Sequence, residues 1–265
     1  MNGLNYLAEM TWPEVAAVAQ RTSVALVPTG ATEAHGPHLP LETDVIIAQG
    51  SCRLAAEALA ADGIECVIAP PFYYGVTHFG MPFAGTVTVP AETLTQLVTA
   101  VCQSLAQHGF KHIVFSNHHL EPAHFAAIKE GARQVNESGV ARVAVPDVRD
   151  ERWASTLTDE FRAGARHAGS YETSLVMAAT PELVREEERR QLQPVWIDLP
   201  ERIRQGARTF REAGSEWAYF GDPARASVSE GEMLFEALAQ MIAVSVKEVL
   251  AITWPGQNPN LLTDG

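Results

Sequence analysis

The chain has 265 residues, of which 46% are hydrophobic and 19% charged, enough apolar material for a large core and too much for a disordered or fibrous chain. Nineteen basic against 32 acidic residues give a formal charge of −13, so no electrostatic footprint for nucleic acid is expected. No segment approaches the roughly 20 apolar residues of a membrane span, and the N-terminus lacks a basic flank and a signal-length apolar run. The three cysteines, Cys52, Cys66 and Cys102, are odd in number, lie in apolar segments and form no CxxC pair. Reduced, buried thiols and a cytoplasmic protein are the expectation.

Thr11-Trp-Pro-Glu14 forms a capping box with proline in the first turn, predicting a helix to about Gln20. Ser23 to Pro28 (SVALVP) reads as a strand covered on both faces, as in a parallel sheet. A polar segment follows, and then Val45, Ala48, Cys52, Ala55 and Leu59 recur at helical spacing from a start near Thr43-Asp44. A strand is predicted at Glu65 to Ala69, and a helix from the stripe Leu94, Val98, Val101, Leu105, stopped by Gly109. The next strand is His112 to Ser116, and Pro122 opens a helix that ends at Gly139. Arg142 to Val145 is a further strand, and Pro146 to Gly169 reads as a long charged loop or flap. Glu172 to Ala179 is predicted helical, Arg185 to Gln193 is dense in charge, and a last helix begins at Ser227 or Ser229 and runs to about Leu250. Strands alternating with helices imply an α/β fold with a mostly parallel sheet, and without a repeat or long linker residues 1–265 are read as one domain.

Chemistry is concentrated in two loops. Thr29 to Asp44 (TGATEAHGPHLPLETD) holds two histidines, three carboxylates, two prolines and two glycines in sixteen residues, too long for an ordinary connection. Asn117 to His124 (NHHLEPAH) leaves another strand. In an open parallel sheet both loops emerge at the carboxyl ends of the strands, where ligands bind. They offer Glu33, His35, Asp44, His119 and Glu121, an oxygen and nitrogen set suited to zinc, manganese or another first-row divalent ion. Five ligands exceed the three protein ligands of one catalytic zinc, whereas two ions sharing one carboxylate account for all five. Three carboxylates plus one shared hydroxide would balance two divalent cations, and burying them without metal would be costly.

His108 and His112 flank a helix end and a strand start and are assigned to structure, while His118 and His124 stay open. His167-Ala-Gly-Ser-Tyr-Glu-Thr-Ser174 enters a helix. Read structurally, Glu172 complements the helix dipole and Ser170 caps it; read functionally, His167 moves a proton beside the metals. Gly75 to Thr86 (GVTHFGMPFAGT) is a glycine-rich loop able to bring Thr77 and His78 to the crevice. Thr77, His78, Leu120 and Ser170 are the expected substrate-facing residues.

These motifs resemble the creatininase family, the metal-dependent amidohydrolases named for creatinine amidohydrolase, over most of the chain. VPTGATEAHGPHLPLETD is similar to the family's signature block, NHHLEP to a second and HAGSYETS to a third, with GVTHFGMPFAGT and GDPARAS as further blocks. The resemblance implies metal ligation by Glu33, His35, Asp44, His119 and Glu121, with Asp44 as the bridge and His167 as the catalytic histidine. It further implies a three-layer α/β/α sandwich, two divalent ions (zinc or manganese, with iron a further candidate), and a homohexamer built as a trimer of dimers. The expected reaction is hydrolysis of a C–N bond in a small amide through a hydroxide shared by the metals, with Glu121 also shuttling a proton. Phe161-Arg-Ala-Gly-Ala-Arg166 stands where creatininase itself has a tryptophan and an aspartate closing over creatinine, Leu120 stands in place of a tyrosine, and His118 in place of a glycine. Another cyclic amide or a formamide is therefore the expected substrate. The alternatives are a peptidase trimming a small modified peptide, for which a groove past His167 would be needed, and a non-catalytic metal-binding member of the fold.

Overall fold

A computed structural model describes residues 3–252. Its strands are β1 (Asn5–Tyr6), β2 (Val24–Thr29), β3 (Val67–Ile68), β4 (His112–Asn117) and β5 (Arg142–Ala144), and all pair in parallel in the order β1-β3-β2-β4-β5. Its helices in chain order are α1 (Trp12–Ala19), α2 (Thr43–Ala61), α3 (Ala91–Gln107), α4 (Pro122–Ser138), α5 (Glu151–Ala154), α6 (Asp159–Arg162), α7 (Ser170–Ala179), α8 (Glu186–Gln191), α9 (Leu199–Arg204), α10 (Phe210–Ala213) and α11 (Val228–Ala251).

Side chains alternate across β2, so the strand feeds two cores. Ala25 and Val27 pack with Leu94, Val98 and Ile128 of α3 and α4, whereas Val24 and Leu26 pack with Cys52, Leu59, Ile242 and Val246 of α2 and α11. Every residue of β2 is buried, which explains its uninterrupted apolar character. Helices on both faces of a parallel sheet make the expected α/β/α sandwich. A third apolar cluster joins α6, α7 and α11 through Phe161, Leu175, Leu234 and Leu238.

The local signals act where the sequence places them. Thr11 and Glu14 form the capping box, with the Thr11 N–H donating to Glu14 Oε2 at 2.7 Å. Ser227 caps α11, accepting from the Glu230 N–H at 3.2 Å. The three cysteines are buried and free. Three differences stand out. Residues 146–169 are not a bare flap but carry α5 and α6. β1, α9 and α10 add to the predicted elements. α7 begins at Ser170 behind Gly169, so glycine occupies the N-cap position and Ser170 makes no cap bond.

The carboxyl ends of β2 and β4 face the N-termini of α2, α4 and α7, and the two polar loops meet there. Gly30, just past β2, lies so close to α2 that a Cβ there would sit 2.5 Å from Asp44 Cβ. Only glycine lets that strand end touch the first turn of the helix.

Candidate metal centre

The loop after β2 folds back on itself, so that Glu33 and His35 face Asp44 in the first turn of α2. His119 reaches them from the loop after β4, and Glu172 from the first turn of α7. All five are buried. Asp44 stands between two groups: its Oδ1 is 3.1 Å from His35 Nε2 and its Oδ2 is 3.2 Å from His119 Nδ1. Glu33 Oε1 lies 3.0 Å from His119 Nδ1, and Glu172 Oε2 lies 3.6 Å from His35 Nε2. Donor atoms of Glu33, Asp44 and His119 fall within 4.8 Å of one another, as do those of His35, Asp44 and Glu172. Each group offers two carboxylates and one imidazole, and Asp44 gives one oxygen to each, the donor chemistry of first-row divalent ions.

The outer nitrogens of both rings are tied to backbone carbonyls. His35 Nδ1 is 3.1 Å from Glu33 O, and His119 Nε2 is 2.9 Å from Val76 O. A ring nitrogen beside a carbonyl donates, so in the neutral rings His35 Nε2 and His119 Nδ1 turn lone pairs toward carboxylate oxygens. Lone pairs that face each other at this range repel unless a proton or a cation lies between them. Burial opposes charge on His35, but Asp44, Glu172 and Glu33 outweigh it and hold the ring up at about 9. Burial likewise opposes charge on His119, and Glu33 and Asp44 raise it well above the ordinary range. Burial pushes Glu172 up to about 8, against the pull of His35. These proton-holding positions are the ones divalent cations would take, so the donor set fits two such ions.

A buried polar chain fixes His119 from behind. The Val76 carbonyl accepts from His119, while the Val76 N–H donates to His124 Nδ1 at 3.2 Å. His124 Nε2–H then donates to Asn117 Oδ1 at 3.0 Å, and Asn117 Nδ2 donates to His119 O at 2.8 Å. Burial, with the neighbouring His119, keeps the His124 pKa well below the ordinary value. His124 is thus a neutral member of this support, and His118 lies 3.2 Å from Ser116 Oγ through Nε2.

His167 stands beside the cluster. Its Nε2 is 2.9 Å from Ala34 O, which turns Nδ1 toward Glu33 Oε1 at 3.6 Å. Its ring stacks on Phe210 with centroids 4.1 Å apart and lies 4.4 Å from the His35 ring. Burial and the His35 charge lower its pKa to about 4, so it is neutral at pH 7. A cavity of about 250 Å³ opens over Glu33, Asp44, His119, His167 and Glu172, walled by Phe79, Leu120, Leu199, Ile203 and Phe210.

The structure brings Glu33, His35, Asp44 and His119 together as the sequence predicts, with His167 alongside. Glu121 departs from its expected place among the ligands. Its carboxylate accepts from the N–H groups of His78 (2.8 Å) and Phe79 (3.2 Å) and meets His78 Nδ1 at 3.0 Å, so the glycine-rich loop draws it to the cavity wall. Glu172 takes the fifth position. Its helix-dipole reading concealed it, although its spacing five residues after His167, on a helix entering the same crevice, was the available signal. Thr77 is buried and donates through its hydroxyl to Glu33 Oε2, so it orients a carboxylate instead of facing the cavity. His78 is exposed and engaged with Glu121. Ser170 lines a separate cavity with Glu160 and Arg225. Of the four residues expected to face substrate, Leu120 alone borders the cavity.

Known proteins carry the same architecture. The family profile described as creatinine amidohydrolase (Creatininase) matches residues 8–246. The mycofactocin precursor peptide peptidase of Mycobacterium tuberculosis (strain ATCC 25618 / H37Rv) is 32% identical over 245 residues, 90% of this chain and 88% of that protein. The creatinine amidohydrolase of Pseudomonas putida is 29% identical over 271 residues, covering 92% of this chain and 96% of that protein. A crystal structure of creatinine amidohydrolase (creatininase) superposes with a TM-score of 0.75 at 26% identity, covering 95% of this chain and all of that one. Other creatininase structures of similar likeness include a manganese form and a Zn-Zn type. With both polar loops and the helix carrying Glu172 inside the matched region, the chain belongs to the creatininase family of amidohydrolases.

Proposed function

We propose that this protein is a dinuclear metal-dependent hydrolase that cleaves a C–N bond of a small cyclic amide or formamide, a bond other than a peptide bond. The observation that carries this reading is Asp44, with one oxygen in each of two ligand triads on the floor of a small cavity. Glu33, Asp44 and His119 would hold one ion, and His35, Asp44 and Glu172 the other. Zinc and manganese are the favoured metals, and the Mn and Zn forms of related structures support them.

Bound there, two divalent cations supply Lewis-acid polarisation of the amide carbonyl and lower the pKa of water. The protein's own groups must move the protons. Neutral His167 has Nδ1 free to take a proton from the attacking water and to return it to the nitrogen as the C–N bond breaks. Phe210 stacks on the ring and the Ala34 carbonyl fixes its tautomer, so Nδ1 is held toward the reacting centre. Glu121, fixed at the cavity wall by its three donors, is placed as a second proton acceptor. Leu120, Leu199 and Ile203 give the cavity apolar walls.

The 32% identity to a peptide peptidase favours a second reading, cleavage of a small modified peptide. Against it, the cavity is small beside the roughly 300–1,000 Å³ of common ligand sites. A screen of cyclic amides, formamides and short peptides with protein loaded with each metal decides, with Glu121→Gln as inactive control. Turnover of small amides supports the first reading, turnover of peptides alone the second, and none with any metal leaves the non-catalytic metal-binding protein. The proposal further includes one domain over residues 1–265, a cytoplasmic location in keeping with three buried, free cysteines, and, from the resemblance, a hexamer built as a trimer of dimers, which sedimentation would test; no described helix is long and apolar enough to cross a membrane.

A further inference from the structure

Three arginines, Arg149, Arg166 and Arg204, border the cavity over the metal cluster. Two of them have carboxylate partners. Arg149 grips Asp147 through Nε (2.8 Å) and Nη2 (2.9 Å), and Arg204 pairs with Glu201. Arg166 differs. Its Nε–H donates to Phe161 O at 2.9 Å and its guanidinium lies 4.8 Å from the Phe161 ring centroid, but among the described residues it has no carboxylate within ion-pair distance. Burial and the charge of Arg149 press on it, and Asp198 and Asp147 act on it only from farther away. A half-buried cation is thus held in place with both Nη groups unused, beside the apolar walls Leu199, Ile203 and Phe210.

We infer that Arg166 is the specificity residue of this site, receiving a carboxylate carried by the substrate, so that the cavity takes small amides that bear one free carboxylate next to an apolar group. The inference rests on the hydrolase reading above and names its substrate class. A planar guanidinium with its Nε side occupied presents two parallel N–H donors, the geometry of a bidentate carboxylate. One unpaired charge matches a monoanion, and the walls match a short aliphatic or aromatic substituent. The triads and Arg166 then hold the two ends of one ligand, fixing the amide carbonyl over Asp44. Arg166 also directly precedes His167, so the residue that reads the substrate and the one that moves its proton share one turn of chain.

The test is calorimetric titration of the zinc-loaded protein with 3-phenylpropanoate and with 3-phenylpropanol, which lacks the charge. A charge-assisted pair predicts at least about tenfold tighter binding of the carboxylate. Arg166→Met should abolish most of that preference and leave the alcohol unchanged, and Arg166→Lys should retain only part of it. The metals also attract carboxylates, so a preference that survives intact in Arg166→Met overturns the inference, as does equal binding of the two probes to the unsubstituted protein. If Arg166→Met no longer binds the alcohol, Arg166→Lys decides, and an undiminished preference there overturns it. Binding needs no turnover, so a screen in which neither amides nor peptides are cleaved, with the preference present, would refute the hydrolase reading and leave the carboxylate subsite standing.

Discussion

Asp44 divides its oxygens between His35 and His119, and Glu33 and Glu172 complete the two sides. Glu172→Gln keeps the shape of the side chain and removes its charge, so the variant should bind one ion in place of two, read by elemental analysis of dialysed protein. Retention of both ions would show that Glu172 is no ligand. His167 borders Glu33 and His35 but belongs to neither Asp44 triad, so His167→Ala should keep its metal content while turnover falls by about 10²–10⁴-fold, the usual worth of a positioned proton carrier. Full turnover in that variant would remove His167 from the chemistry. Four of the five side chains in the buried cluster were legible because glutamate, histidine and aspartate crowd loops too long to be mere connections. Glu172 was not, because a glutamate in a helix's first turn has a sufficient local reason to be there. Glu121 misled for the opposite reason: its spacing to His119 suits ligation, but the backbone donors that capture it come from residues 78 and 79, some forty positions earlier. Arg166 carries no motif at all, and its lack of a carboxylate within ion-pair distance among the described residues is a property of three dimensions only.

At the level of elements, the site depends on helix N-termini held tightly to strand ends and to one another. α11 crosses α7 at Gly231, where a Cβ would fall on the Ser174 carbonyl and 2.9 Å from Ala178 Cβ. Gly231→Ala should therefore cost about 1–3 kcal/mol through overpacking, despite the better helix propensity of alanine. For a chain of this size that corresponds to a melting shift of about 2–4 °C per kcal/mol, and an unchanged or raised melting temperature would show that the crossing yields freely. Long, strongly periodic helices and the apolar strands β2 and β4 were readable, since burial on one stripe or on both faces leaves its mark on composition. β1, α9 and α10 were not: two to six residues are too few to show a period, and their order comes from the sheet edge and the cavity they join. Ala168, at a φ of 51°, likewise turns the chain into α7 without the glycine that would announce it, with its N–H donated to Glu172 Oε2 at 2.6 Å.

Across the whole molecule, the sheet gathers three buried carboxylates at the carboxyl ends of its central strands, and this couples metal, protons and stability. In chelated protein the His35 pKa is raised to about 9 from 6.5, so its contribution to stability is full below about pH 6.5 and is lost as pH climbs through 9. Glu172, raised to about 8, favours its protonated form and acts in the same direction. The melting temperature of the chelated protein should thus fall between pH 6.5 and 9, and zinc or manganese should restore it most at the alkaline end, where fewer protons compete. A chelated protein that melts higher at pH 9 than at pH 6.5 would contradict the proposed charge balance. The central claim is the shared role of Asp44, and anomalous diffraction at the absorption edge of the bound metal tests it most directly. Two peaks flanking Asp44 are predicted, one against Glu33 and His119 and the other against His35 and Glu172. A single peak, or a second ion held by Glu121 in place of Glu172, would contradict it.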